Sequence, residues 1–172
     1  MDAPIVNRVA NSGIITLNLE DYFPDKDIVI FDIKDYLFKE LILKEKDFRL
    51  ALKEYDWSTV EDKILLIYCS TDAIIPVWAY MLVGAYGSPY AAEIYQGAKD
   101  EFLKTHYSKV IASLDIDAYA NQRIVIKGCS KKPVPPSAYV DLTNKLRPIV
   151  RSIMYGEPCS TVPIYKRKPI KA

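Results

Sequence analysis

A chain of 172 residues that is 50% apolar and 26% charged is long enough to bury an ordinary core and too apolar to be disordered or of low complexity. With 23 basic and 22 acidic side chains the net charge is +1, which supplies no broad field for nucleic acid or an anionic membrane surface. Six glycines and 11 prolines exclude a collagenous chain.

Residues 1–20 include Asp2, Arg8 and Glu20 and hold no apolar run long enough for a signal peptide, so the expected location is cytoplasmic. Ile14 to Leu19 and Asp27 to Phe31 are β-branched or aromatic-rich runs separated by Pro24 and Asp25, which predicts two strands that pair as a hairpin. Between Ile33 and Lys44 the sequence fits either a short helix or an extended run. From Glu45 to Tyr55, Phe48, Leu52 and Tyr55 recur at helical spacing among charges, the pattern of an amphipathic helix.

Ile64 to Tyr68 is continuously apolar, as in a strand covered on both faces, and it runs into Cys69. Ser70, Thr71 and Asp72 are competent N-caps for a following helix with Pro76 in its first turn, and Gly87 with Pro89 supplies a stop. Ala73 to Ala92 carries no formal charge and is about the length of a bilayer span, but Gly84, Gly87, Ser88 and Pro89 interrupt it, so it reads as a buried core helix. Ala92 to Gln96 predicts the next strand. Lys99 to Leu114 predicts a helix with Phe102, His106, Val110 and Leu114 on its inner face.

Arg123 to Ile126 is a short β-branched strand that runs out into Gly128 and Cys129. Pro133, Pro135 and Pro136 force an extended link before a helix that carries Leu142, Leu146, Ile149, Val150 and Ile153 inward, kinked or divided at Pro148 and ended by Gly156 and Pro158. Thr161 to Tyr165 reads as a last strand, and Pro163 places it at a sheet edge. No internal repeat is evident. The alternation of strand and helix predicts an α/β fold: a mixed, mostly parallel sheet flanked by helices, in a single layer-sandwich domain over 1–165, with 166–172 a basic, flexible tail.

All three cysteines precede serine, and Cys69 and Cys129 each leave the carboxyl end of a predicted strand, where functional residues of parallel sheets gather. If both strands belong to one sheet, the two thiols share a crevice, joined by Cys159 if the Gly156 turn folds back. Three thiolates with Asp72 as fourth ligand can hold zinc or an iron–sulfur cluster, since both favour sulfur; Glu157 and Asp32 are further oxygen candidates. The structural alternatives are three small buried hydrophobes, a helix cap at Asp72 and a solvated turn residue at Glu157. His106, the only histidine, reads as a hydrogen-bonded core or boundary residue.

Cys69 also reads as a nucleophile, because a helix N-terminus favours the thiolate, although no base partner is evident. Lys127, Lys131 and Lys132 fit an anion site or a solvated loop. Neither a Walker-type loop nor a Gly-x-Gly-x-x-Gly run is present, and the 13 tyrosines are not interleaved with basic residues as a base-stacking surface requires.

The chain resembles the small bacterial proteins catalogued as domain of unknown function 2480. The blocks that carry this run from Asn7 to Leu17, Phe31 to Asp35 and Leu41 to Arg49, then from Cys69-Ser70 through Pro76 to Trp78-Ala79-Tyr80-Met81. They continue at Lys127-Gly128-Cys129-Ser130-Lys131 with Pro133-Val134-Pro135 and from Gly156 to Pro163. The resemblance implies that the Cys-Ser positions belong to the family pattern, and it implies no reaction or cofactor. The expected function is therefore a cysteine-based metal or ligand site at the carboxyl edge of the sheet. A thiol-dependent enzyme using Cys69 and a non-catalytic interaction module are the alternatives. No nucleic acid or membrane partner is expected. A homo-oligomer is expected only because such assemblies are common.

Overall fold

The computed structural model describes residues 13–128, 131–157 and 160–168. In chain order these form β1 (Ile14–Asn18), β2 (Ile28–Asp32), α1 (Glu45–Glu54), β3 (Ile64–Tyr68), α2 (Val77–Gly87), β4 (Glu93–Gln96), α3 (Lys99–Ser113), β5 (Arg123–Lys127), α4 (Pro136–Leu146), β6 (Ser152–Glu157) and β7 (Ser160–Lys166). Short 3-10 turns follow β1 and β2 and precede β3 and β5. The fold is α/β.

The strands divide between two sheets, of order β2-β3-β4 and β1-β5-β6-β7, and the chain between two compact units. The inserted unit is Pro24–Phe102; the split unit combines Met1–Phe23 with Leu103–Ala172. Every pairing is parallel except β6 with β7, an antiparallel edge in which Pro163 sits as expected.

In the inserted unit Phe31, Leu65 and Ile67 face Phe48 and Leu52 of α1 and Ala79 and Val83 of α2. Right-handed crossovers in one direction along a sheet place both helices on the same face. Ile64 and Leu66 point the other way and are buried too, which accounts for the unbroken apolar run. In the split unit Leu17, Ile124, Ile126 and Ile153 pack with Tyr107 and Ile111 of α3 and Leu142 and Leu146 of α4.

The two units repeat one pattern, contrary to the reading that the chain has no internal repeat. One constant separation carries Asp56 onto Asp115, Ile67 onto Ile126, Pro76-x-x-Ala79-Tyr80 onto Pro135-x-x-Ala138-Tyr139, Pro89 onto Pro148, Ile94 onto Ile153 and Gly97 onto Gly156. It also superposes the printed bounds of β3 on β5 and of α2 on α4.

The backbone agrees in detail. Asp56 accepts from the Ser58 amide at 3.1 Å and Asp115 from the Asp117 amide at 3.0 Å. Asp62 and Asn121 are both left-handed, at φ 54° and 59°. Their amides donate to Tyr90 O and Ile149 O at 3.0 and 2.9 Å. A shorter separation carries β1 and its turn onto β2 and its turn, Asn18 onto Asp32 and Tyr22 onto Tyr36. One copy of the pattern is thus inserted in sequence between β1 and α3 of the other. Few identities survive because a strand or helix needs only the right polarity at each position, which many residues satisfy.

Several expectations change. β1 and β2 form no hairpin: the Asn18 side chain accepts from the Glu20 amide and starts a 3-10 turn, and each strand pairs in parallel within its own sheet. The helix after the proline cluster stops at Leu146, and Ser152–Glu157 is a strand. Pro148 acts as a stop because it has no amide to donate, and the Arg151 amide is drawn to Gln122 O at 2.8 Å, beside β5. Along α3 the buried residues are Phe102, Leu103, Tyr107 and Ile111, while His106 and Val110 are half-buried. α2 begins only at Val77 with Pro76 as its N-cap residue, so Asp72 does not cap it. The residue before a proline is pushed out of the helical region, which delays the start.

Candidate functional site

Each sheet has its own carboxyl edge, and the chemistry proposed from sequence divides between them. β3 and β5 lie in different sheets, so the shared-edge premise for joining Cys69 to Cys129 fails. Cys129 and Cys159 lie outside the described residues. Among the described residues no three His, Cys, Asp or Glu side chains are grouped to hold a metal ion. The zinc or iron–sulfur site of Cys69, Cys129, Cys159 and Asp72 therefore draws no support from this arrangement. The alignment of the two units also offsets the cysteines by one position, Cys69 onto Gly128 and Ser70 onto Cys129.

At the edge of the inserted unit, Asp32 accepts from the Lys34 amide and from the Ser70 amide, both at 3.0 Å. Burial alone would raise its carboxyl, but the Ser70 hydroxyl and amide and the Lys34 amide outweigh it and hold Asp32 below the ordinary carboxylate range. Asp32 ties the end of β2 to the loop after β3. Asn18 holds the aligned position, which marks the role as structural. Cys69 is half-buried against the aromatic core. Burial, and then the charge of a Cys69 thiolate, push the Tyr80 phenol upward. The helix dipole on which a nucleophilic Cys69 would depend starts only at Val77, and Asp72 is exposed in the intervening loop.

In the split unit, Glu20 is only 8% exposed and its Oε1 accepts from the Lys131 amide at 2.9 Å, anchoring the loop after β5. Lys127 pairs with Glu157 at 3.3 Å, and the Lys132 ammonium lies over the Phe23 ring at 5.4 Å. The Lys127 and Lys132 side chains are thus engaged separately, and Lys131 is held through its backbone amide. His106 Nε2 bonds Tyr22 O at 2.9 Å, the boundary role read from sequence.

Gly128 is close to Tyr139: a Cβ there would lie 2.6 Å from the phenol oxygen. Its lack of a side chain makes room for the Tyr139 ring, which lines a groove of about 510 Å³. Ile126 and Ile153 form its buried floor, with Tyr155 and Ile164 beside them on β6 and β7. Val134, Pro136, Tyr139 and Val140 wall it at the start of α4, and Thr143 and Asn144 follow one turn on. None of the described residues that line it is charged. The volume is within the usual range for small-molecule sites, about 300–1,000 Å³.

Local sequence gave no signal for this groove, because it needs β7 beside β6 and the outer side of α4 together. The pairing of Tyr139 with Tyr155, ring centroids 5.7 Å apart and nearly perpendicular, joins residues that no spacing rule connects.

No helix of the described residues is long and apolar enough to cross a membrane. The sequence matches, over residues 3–167, the family described as Protein of unknown function (DUF2480). No curated protein and no solved structure matches it.

Proposed function

We propose, from the premise that this chain belongs to the DUF2480 family and inherits no reaction from it, that it binds a small uncharged ligand, mostly apolar, in the groove of the split unit. The carrying observation is an apolar concavity over the face of β5, β6 and β7 beside α4, with neutral polar groups at Tyr139, Thr143 and Asn144. A charged ligand there would lose hydration without gaining a counter-charge. Each CH₂ taken from water contributes about 0.8 kcal/mol, so a ligand of several carbons with one hydroxyl or amide suits the site. This reading replaces the metal with an organic molecule and moves the ligand site from the carboxyl edge to the sheet face beside α4.

The test uses the uncharged fluorophore N-phenyl-1-naphthylamine. Saturable binding at one site is expected, with affinity weakened about tenfold or more by Val140→Arg, since Val140 is exposed and lines the groove. Leu50→Arg, an equally exposed apolar position on α1, should leave it unchanged. Equal loss in both variants, or no saturable binding to the wild type, would refute the reading.

A further inference from the structure

β4 is an edge strand, whereas its aligned strand β6 is flanked by β7. The two units diverge just after these strands. The chain turns from Gly97 into α3 but from β6 returns as β7, antiparallel, pairing Gly156 with Thr161 and Ser152 with Lys166. Among the described residues the inserted unit is therefore one strand short of the pattern.

The open edge has defined donors. The Gly97 amide donates to Ile67 O at 2.9 Å. By strand alternation Tyr95 and Glu93 also direct their backbone groups at β3, and Ile94 and Gln96 direct theirs away from it. Beside this edge an apolar strip lies bare: Val77 and Met81 of α2 are 73% and 69% exposed, and Ile74 in the loop before α2 is 95% exposed. Val77 and Met81 align with Pro136 and Val140, which in the split unit line the groove with Ile164 of β7. Among the described residues, a strand with no further strand beside it and an exposed helix face thus coincide where the other copy of the pattern places an antiparallel strand.

We infer that a second copy of this chain covers this edge, β4 pairing with the partner's β4 about a two-fold axis. A two-fold axis perpendicular to the sheet sets identical strands antiparallel, the direction of β7 against β6. Centring the pair on Tyr95 sets Ile94 opposite the partner's Gln96, so the outward amides and carbonyls bond each other, and sets the two Tyr95 rings side by side. Glu93 then faces the partner's Gly97, so no like charges meet. No lysine or proline guards Glu93–Gln96, as blocked edges commonly show. Val77 and Met81 extend the contact beyond the strands and add apolar surface to it.

Sedimentation equilibrium of the full chain tests this. The wild type should be dimeric at tens of micromolar. Gln96→Pro removes an outward amide without touching the β3 ladder and should weaken dimerisation about tenfold or more, as should Met81→Lys, which alters only an exposed side chain. Val140→Lys, at the aligned position of the split unit, should leave the dimer intact. A monomeric wild type overturns the inference, as does a dimer that survives both Gln96→Pro and Met81→Lys. Because Val140→Lys reports on the groove and Met81→Lys on the edge, failure here is distinguishable from failure of the ligand reading.

Discussion

Gly87 closes α2 in a fully occupied space, and Gly87→Ala should destabilise the inserted unit although alanine is the better helix former. An added Cβ would lie 2.7 Å from Leu65 Cδ2, 3.2 Å from Trp57 Cζ3 and 3.5 Å from Ile94 Cδ1, where carbon atoms normally rest about 3.5–4.0 Å apart. Leu65 is fully buried and cannot swing aside into solvent. Trp57 is pinned by its indole N–H, which donates to Leu52 O at 2.9 Å, and by stacking on Phe31 and Tyr86 at 6.1 and 5.8 Å. Relieving the overlap should cost about 1–3 kcal/mol, against a helix-propensity gain of at most about 1 kcal/mol, for a net loss of roughly 1–2 kcal/mol.

The split unit solves the same space differently: Leu146, fully buried, stands where Gly87 does, and Ile116 where Trp57 does. Gly87→Ala made on a Trp57→Ile background should therefore cost less, since the Trp57 contact is gone and the vacated volume lets Leu65 shift inside the core, a coupling of about 1 kcal/mol. Urea unfolding of the four proteins of this cycle, followed by far-ultraviolet circular dichroism at constant m, measures it. Gly87→Ala that stabilises the wild type, or effects that add within about 0.5 kcal/mol, would refute the packing argument.

Asp32→Asn should cost less than about 0.5 kcal/mol, since Asn18 caps the aligned turn, whereas Asp32→Ala should cost about 1–2 kcal/mol and leave the Ser70 amide unpaired. Because folding lowers the Asp32 pKa, its ionised form contributes stability that is complete above the ordinary carboxylate range and lost as pH falls through the lowered folded value. Urea midpoints between pH 6 and pH 3 should accordingly show the wild-type advantage over Asp32→Asn shrinking only on acidification. The Lys145 ammonium donates to Ile111 O, Ala112 O and Leu114 O at 2.7, 2.6 and 2.7 Å. Lys145→Met should cost about 1–3 kcal/mol, read as a lower melting temperature with faster amide exchange at the end of α3. Gly156, at φ 119°, would place a Cβ 2.6 Å from Ser160 O, so Gly156→Ala should cost more than Gly13→Ala, at φ 62° with open space around it. Equal melting temperatures for the two variants would contradict this.

Strands were legible wherever burial on both faces produced an unbroken apolar run, as at Ile64 to Tyr68. Helices were legible where charge and apolarity alternated in 3.6-residue steps, as in α1. β6 was not, because Ile149, Val150 and Ile153 continue the helical spacing of α4 and only the bond between Arg151 and Gln122 decides that the chain has entered a sheet. The internal repeat was hidden for a related reason. Its strongest signals, left-handed Asp62 and Asn121 and the turn caps at Asp56 and Asp115, are conformations and side-chain bonds that an unlike pair such as Asp and Asn supplies equally well.

The candidate site was less legible still. The three cysteines stand out in the sequence, but position after a strand places a residue at a carboxyl edge without saying which sheet owns that edge. Composition and local pattern determined the α/β class, the order of most elements and the edge position of β7, since each follows from the polarity, turn chemistry and missing amides of neighbouring residues. Tertiary structure alone decided that the strands form two sheets, that β4 lacks the neighbour β6 has, and that an apolar groove opens beside Tyr139. Those outcomes depend on which distant strands exchange hydrogen bonds, and a backbone amide carries no label of its partner in the sequence around it.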